Sequence, residues 1–211
     1  MSALILNLHY QTPEVNKIQK VVSALRDGAV ILYPTDTQYA FGCALSNKEG
    51  IERIRQIKGI NENHAMTFLC DSLSNISEFA KINDEAYKLI KRLIPGPFTF
   101  ILPASKQVPK FAQNAKRNTA GIRVPDHNLS QALLKAMETP IIAISARIPD
   151  TMPSVDADAV VDSYFKLVDI AVLSDEYHFA GESTVIDLTG DEFQISREGA
   201  GMDKLSQYVR E

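Results

Sequence analysis

Strands alternating with amphipathic helices predict one α/β domain over residues 1–211, built on a twisted, mixed β-sheet with flanking helices. Three observations lead there. The runs Ala29-Val30-Ile31-Leu32, Met66-Thr67-Phe68-Leu69-Cys70 and Ile141-Ile142-Ala143-Ile144-Ser145 read as buried strands. Apolar stripes between them recur at helical spacing, as in Val15, Ile18, Val22, Leu25 and in Ala86, Leu89, Ile90, Leu93. Toward the C-terminal end strands follow one another closely. No repeat, low-complexity tract or Pro/Gly/Ser-rich linker divides the chain.

In order, residues 3–8 alternate enough for a first strand. Thr12-Pro13 predicts a helix start, a hydroxyl at the N-cap and proline at the first helical position, with the helix running over 13–26 and ending at Asp27-Gly28. The strand at 29–32 should stop at Pro34, which has no N–H for a ladder. Asn47 should cap a helix with Ile51, Ile54 and Ile57 inward, and residues 59–64 form a polar link to the strand at 66–70. A short helix fits 74–79. Asn83 should cap a strong helix that Pro95-Gly96-Pro97 stops. Strands are expected at 98–102, 120–124, 141–145, 169–173, 184–188 and 194–197. Asn128 should cap a helix through Met137 and Asp156 another carrying Val160, Val161 and Tyr164, and the segment from Gly201 reads as a short helix or loop.

With 45% hydrophobic residues, 211 residues bury one sizeable core. A net charge of -4 and a pI near 5.6 argue against a broad nucleic-acid surface, though not against a local basic groove. Cys43 and Cys70 form no CxxC and read as reduced core residues. No signal peptide and no membrane-crossing apolar run are evident, so a cytoplasmic protein is expected.

Chemistry points to strand ends. The turn Thr35-Asp36-Thr37 follows a buried strand, where open α/β sheets place their sites. Thr37, Ser145 and Ser183 supply hydroxyls at such positions. Arg123 and Arg197 lie in or at the end of otherwise apolar strands, which is costly unless the charge is paired or faces a wet cavity. One reading makes them structural ion pairs with Asp36, Asp126 or Asp187. Two arginines with Lys58 and several hydroxyls suggest instead a concave anion site, since arginine's planar fork suits phosphate or carboxylate. Neither a G-x-G-x-x-G after a strand, a phosphate-binding G-x-x-x-x-G-K-[ST] loop nor a G-x-S-x-G elbow is present. The histidines, His9, His64, His127 and His178, lack metal-ligand spacing and read as surface or capping residues. Asp156 and Asp158 near Asp150 read as a solvated helix start, and Lys106, Lys110, Lys116 and Arg117 as a solvated loop.

Five motifs occur in order: Tyr33-Pro34-Thr35-Asp36-Thr37-Gln38-Tyr39, Pro95-Gly96-Pro97-Phe98-Thr99, Gly121-Ile122-Arg123-Val124-Pro125-Asp126-His127, Ser183-Thr184-Val185-Ile186-Asp187-Leu188-Thr189 and Ile195-Ser196-Arg197-Glu198-Gly199-Ala200. Taken together they resemble the YrdC-like family, most of all its YciO branch. The likeness runs over roughly residues 10–205. It implies a single YrdC-like domain around a large concave cavity. It also implies L-threonylcarbamoyl-adenylate synthesis, in which L-threonine, bicarbonate and ATP give threonylcarbamoyl-AMP and pyrophosphate for the threonylcarbamoyl modification of tRNA adenosine. The alternative it implies is a double-stranded RNA- or tRNA-binding protein that keeps the cavity with synthase activity weak or lost. A nucleotide-binding regulator with a protein partner is a third.

By motif, the resemblance assigns Thr37, Arg123 and Ser183 to threonine, with Arg123 paired to its carboxylate. It assigns Lys58, Thr119, Ser145 and Arg197 to ATP, and His64 and Arg147, at positions where the motifs differ, are expected to face ATP as well. Lys58 and Arg197 would neutralise most of the phosphate charge, usually with Mg²⁺ carried on the triphosphate. The sequence departs from the synthases at their Lys-x-Arg motif, here Lys58-Gly59-Ile60, and at their Ser-x-Asn motif, here Ser145-Ala146-Arg147. His64 stands where asparagine is frequent, and Leu69 where a histidine often ends the strand. Arg147 is therefore expected to substitute in part for the cation absent at Ile60.

Overall fold

The computed structural model describes residues 3–61, 64, 66–114, 116–148, 156–190 and 192–209. These form one ten-stranded mixed sheet with seven α-helices. The strands are β1 (Leu4–Leu8), β2 (Ile31–Pro34), β3 (Tyr39–Ala44), β4 (Thr67–Leu69), β5 (Phe98–Pro103), β6 (Thr119–Arg123), β7 (Ile141–Ser145), β8 (Ile170–Ser174), β9 (Thr184–Asp187) and β10 (Gln194–Arg197). Their order across the sheet is β1-β8-β2-β3-β7-β4-β6-β5-β9-β10. Parallel pairs (β1/β8, β2/β8, β4/β6, β5/β9) are interleaved with antiparallel ones (β2/β3, β3/β7, β4/β7, β5/β6, β9/β10).

The helices are α1 (Val15–Arg26), α2 (Lys48–Lys58), α3 (Leu73–Phe79), α4 (Asp84–Leu93), α5 (Asn128–Met137), α6 (Ala157–Tyr164) and α7 (Met202–Val209). Asn47, Asn83 and Asp156 cap α2, α4 and α6 with side-chain oxygens that accept from backbone N–H groups. Two expected helix starts move. Glu14, not Thr12, occupies the N-cap of α1 in extended conformation and makes no capping bond, because its carboxylate instead takes the Lys17 ammonium and the His9 N–H. At α5 the cap is His127, whose ring accepts from the Ser130 N–H, and Asn128 begins the helix. β3 is a strand that the sequence pattern does not predict. Within the link expected at 59–64, Glu62 and Asn63 lie outside the described residues, as does Asp150.

The two faces of the sheet differ. Phe41, Phe68, Phe98, Phe100, Ile122, Ile142 and Ile186 belong to the larger core, closed by side chains of α2, α3, α4, α6 and α7. Ile31, Tyr33, Ala40, Leu69, Ile141, Ala143 and Val172 belong to a smaller core under α1 and α5. Side chains alternate between faces along a strand. The residues between the large core residues of β4, β5, β6, β7 and β9 therefore share the second face, and α1 and α5 leave part of it uncovered.

Candidate functional site

That uncovered part holds a cavity of about 220 Å³. Its wall follows the strand pleat: Thr67 and Leu69, Thr99 and Ile101, Gly121 and Arg123, Ala143 and Ser145, and Val185 alternate with residues of the larger core and line the opening. Along one side stands the four-residue loop 35–38 between β2 and β3. The loop is shaped by its own hydroxyls. Thr35 Oγ1 donates to the Gln38 carbonyl at 2.7 Å and accepts from the N–H groups of Thr37 and Gln38. The Asp36 and Thr37 carbonyls accept from the Ala180 and Gly181 amides, which draws the segment before Ser183 over the loop.

Arg123, 6% exposed, is held from this loop. Its Nη1 donates to Thr37 Oγ1 at 2.7 Å and its Nη2 pairs with Asp36 Oδ1. The ion pair foreseen for one arginine therefore exists, with Asp36, and the same arginine also lines the cavity. Asp187 pairs instead with Arg117, at 2.8 Å. A guanidinium carries five N–H donors, so these two bonds leave others for a ligand. Nearby, Ser183 Oγ lies 2.9 Å from Thr99 Oγ1. Arg197 donates from Nε and Nη2 to the Ser183 carbonyl and from Nη2 to Ser183 Oγ at 3.0 Å. β10 thus delivers its arginine to the β9 side of the opening.

The fold brings Thr37, His64, Arg123, Ser145, Ser183 and Arg197 together around one cavity, although they span residues 37 to 197 of the chain. Lys58, Thr119 and Arg147 are not part of its wall. Thr119 is buried on the same face of β6 as Arg123 but four residues earlier, about 13 Å along the strand. Lys58 ends α2 half-buried, and its Nζ donates to the Arg147 carbonyl at 2.8 Å. Burial, then the Arg147 charge, holds this ammonium below the ordinary lysine range. Arg147 lies two residues beyond Ser145, with Nη1 3.4 Å from Glu182 Oε1. Ile60 packs against the larger core.

Thr99 also lines the cavity, and Asp36 stands beside it as the partner of Arg123. The alternation Phe98-Thr99-Phe100, a hydroxyl between two core aromatics, was the available signal for Thr99. Asp36, expected in the turn and as one counter-ion among several, sets where Arg123 lies. His127, beside this pair, is 2% exposed, and burial pulls its imidazole down to about 4 against a partly opposing Asp36 charge. Burial also raises both thiols, Cys43 to about 12, so neither is an activated nucleophile.

Comparison with known proteins agrees with this architecture. The crystal structure of Escherichia coli YciO superposes with a TM-score of 0.84 at 35% identity, covering 93% of this chain and 96% of that one. A threonylcarbamoyl-AMP synthase of Pyrococcus abyssi is 30% identical over 187 residues, which are 88% of this chain and 54% of the synthase. The crystal structure of P. abyssi Sua5 complexed with L-threonine superposes with a TM-score of 0.88 at 29% identity, covering 98% of this chain and 61% of that one. Residues 23–199 match the Sua5/YciO/YrdC family, described as telomere recombination, and with the strand order and the cavity on its open face the chain belongs to that family.

Proposed function

We propose that this chain binds ATP and L-threonine at the cavity and forms threonylcarbamoyl-AMP, or a closely related acyl-adenylate, with release of pyrophosphate, in the service of tRNA modification. The observation that carries this reading is the convergence of Arg123, Thr37, Ser183, Ser145 and Arg197 on one hollow of the sheet. Its likeness to a threonylcarbamoyl-AMP synthase and to a threonine-bound Sua5 supports it.

The chemistry asks for no protein nucleophile. The threonine amine attacks bicarbonate and loses water, giving a carbamate. A carbamate oxygen then attacks the α-phosphorus of ATP, and the bond to the β-phosphate oxygen breaks with pyrophosphate as leaving group. The protein positions the reactants and offsets negative charge. Arg123 would hold the threonine carboxylate with help from the Thr37 and Ser183 hydroxyls. Ser145 and His64 would face the nucleotide, and Arg197, with Lys58 and Arg147, the phosphates. Among the described residues no group of three or more His, Cys, Asp or Glu side chains is placed to hold a metal ion, and Asp36 is already paired. These residues do not fit a protein-held Mg²⁺, so the ion would arrive on the triphosphate as part of the substrate.

A second reading is a nucleotide- or RNA-binding protein with weak or no turnover. One observation favours it: Ile60 is taken into the core and Lys58 is engaged with a backbone carbonyl outside the cavity wall. Pyrophosphate release, measured with threonine, bicarbonate and ATP and with each omitted in turn, separates the two. Release that requires all three supports the synthase. Release without threonine redirects the reading to another acceptor. Silence from folded protein in every mixture favours binding, and RNA binding through phosphates would then fall steeply with salt.

A further inference from the structure

Beside the cavity lie four buried polar atoms to which the proposed reaction gives no role. Tyr33 Oη, Asp36 Oδ2, Arg123 Nε and His127 Nε2 are buried side-chain atoms with no hydrogen-bond partner in the protein. Other contacts bring their residues together. Asp36 and Arg123 are joined through their remaining polar atoms. His127 follows four residues after Arg123, its Nδ1 lies 3.4 Å from the Ser130 hydroxyl, and Tyr33 immediately precedes Pro34. Ser130 ties the His127 end of α5 to the end of β2, because its hydroxyl donates to the Pro34 carbonyl at 2.8 Å.

The donor inventory is complementary. His127 Nδ1 accepts from the Ser130 N–H, so the neutral ring carries its proton on Nε2. The cluster therefore offers two N–H donors, from His127 and Arg123, one carboxylate acceptor and a hydroxyl that can play either part. Unpaired buried polar groups are costly, and a single water accepts two such bonds and donates two. We propose that His127 is a positioning residue, which through one buried water shared with Asp36 Oδ2 and Arg123 Nε fixes the Asp36–Arg123 pair and thereby the arginine presented to the cavity. Its consequence for substrate rests on the threonine reading above, whereas the placement of Arg123 does not.

Two substitutions separate this role from the helix cap. His127→Asn keeps an oxygen to accept from Ser130 but loses the distal donor. His127→Gln keeps a donor near the Nε2 position and gives up the cap. The probe that needs no ligand is ¹⁵N NMR of the imidazole and arginine side chains, with Arg123 assigned by loss of its signal in Arg123→Lys. The expected result is an Nε2–H tautomer for His127 at pH 7. The Arg123 Nε–H should exchange slowly with solvent in wild type and His127→Gln, and about tenfold or more faster in His127→Asn. An Nδ1–H tautomer, or equal protection in both variants, overturns the proposal.

The kinetic arm expects the KM for threonine to rise about tenfold in His127→Asn, with kcat nearly unchanged, and to recover in His127→Gln. An unchanged KM in His127→Asn overturns the link to substrate. If wild-type protein shows no threonine-dependent turnover, the functional reading falls, and the NMR arm still decides whether His127 places Arg123.

Discussion

Arg123 and Arg147 are both cations near one cavity, and the chain treats them differently. Arg123 and Asp36 have side chains only 8% and 10% exposed, and Thr37 holds the same guanidinium. Arg147 and Glu182 are 40% and 33% exposed and 3.4 Å apart. Removing one partner of a buried pair strands a charge away from water, while an exposed pair is screened and contributes little. The buried arginine is therefore part of the fold as much as of the site. The exposed one can give up its carboxylate at small cost, which the proposed contact with a ligand's phosphate would require.

The largest effect that would sharpen this contrast is expected for Asp36→Ala. It should lower unfolding stability by about 3–5 kcal/mol, measured by urea denaturation. A cost no greater than that of Glu182→Ala would break the comparison. Acid titration comes next. Unfolded, the His127 imidazole takes a proton near its ordinary value of 6.5; folded, it does so only at about 4. The unfolded state binds more protons in that window, so the stability is fully present above pH 6.5 and drains away as pH falls toward 4. The loss is about 3 kcal/mol for this one group, and His127→Asn should remove that part of the pH dependence. Arg147→Ala should weaken ATP binding about tenfold in calorimetry while shifting stability by less than about 1 kcal/mol; unchanged affinity sinks the substitution idea. The smallest effect is expected for Glu182→Gln, which removes the carboxylate charge facing Arg147 and should tighten nucleotide by at most about fivefold, more clearly at low salt.

Much of this was legible in the chain. Asn47, Asn83 and Asp156 announce their helices because a short polar side chain before an apolar stripe has a local reason to be there. The turn after β2 was readable for the same local reason. β3 was not, because all six of its residues are buried and small residues break the run, leaving neither alternation nor a block of β-formers. Thr12-Pro13 looked like a cap, but the chain continues extended through Glu14, whose carboxylate finds Lys17. The site was legible residue by residue, in Thr37, Ser145, Ser183 and the two strand arginines. Its assembly was not: Asp36 meets Arg123 across 87 positions of sequence, and only the sheet order brings them together. Lys58 shows the converse limit. A basic residue at a helix C-terminus looks the same in sequence whether it reaches for phosphate or for the nearest carbonyl.

The pleat of the five strands under the cavity has an evolutionary consequence. Odd and even positions answer to separate masters: one set keeps the aromatic and aliphatic interior intact, and the other, apart from anchors such as the paired Arg123, faces the hollow. Exchanges at wall positions such as Thr67 and Val185 would reshape the hollow while the inward residues of the same strands keep the scaffold.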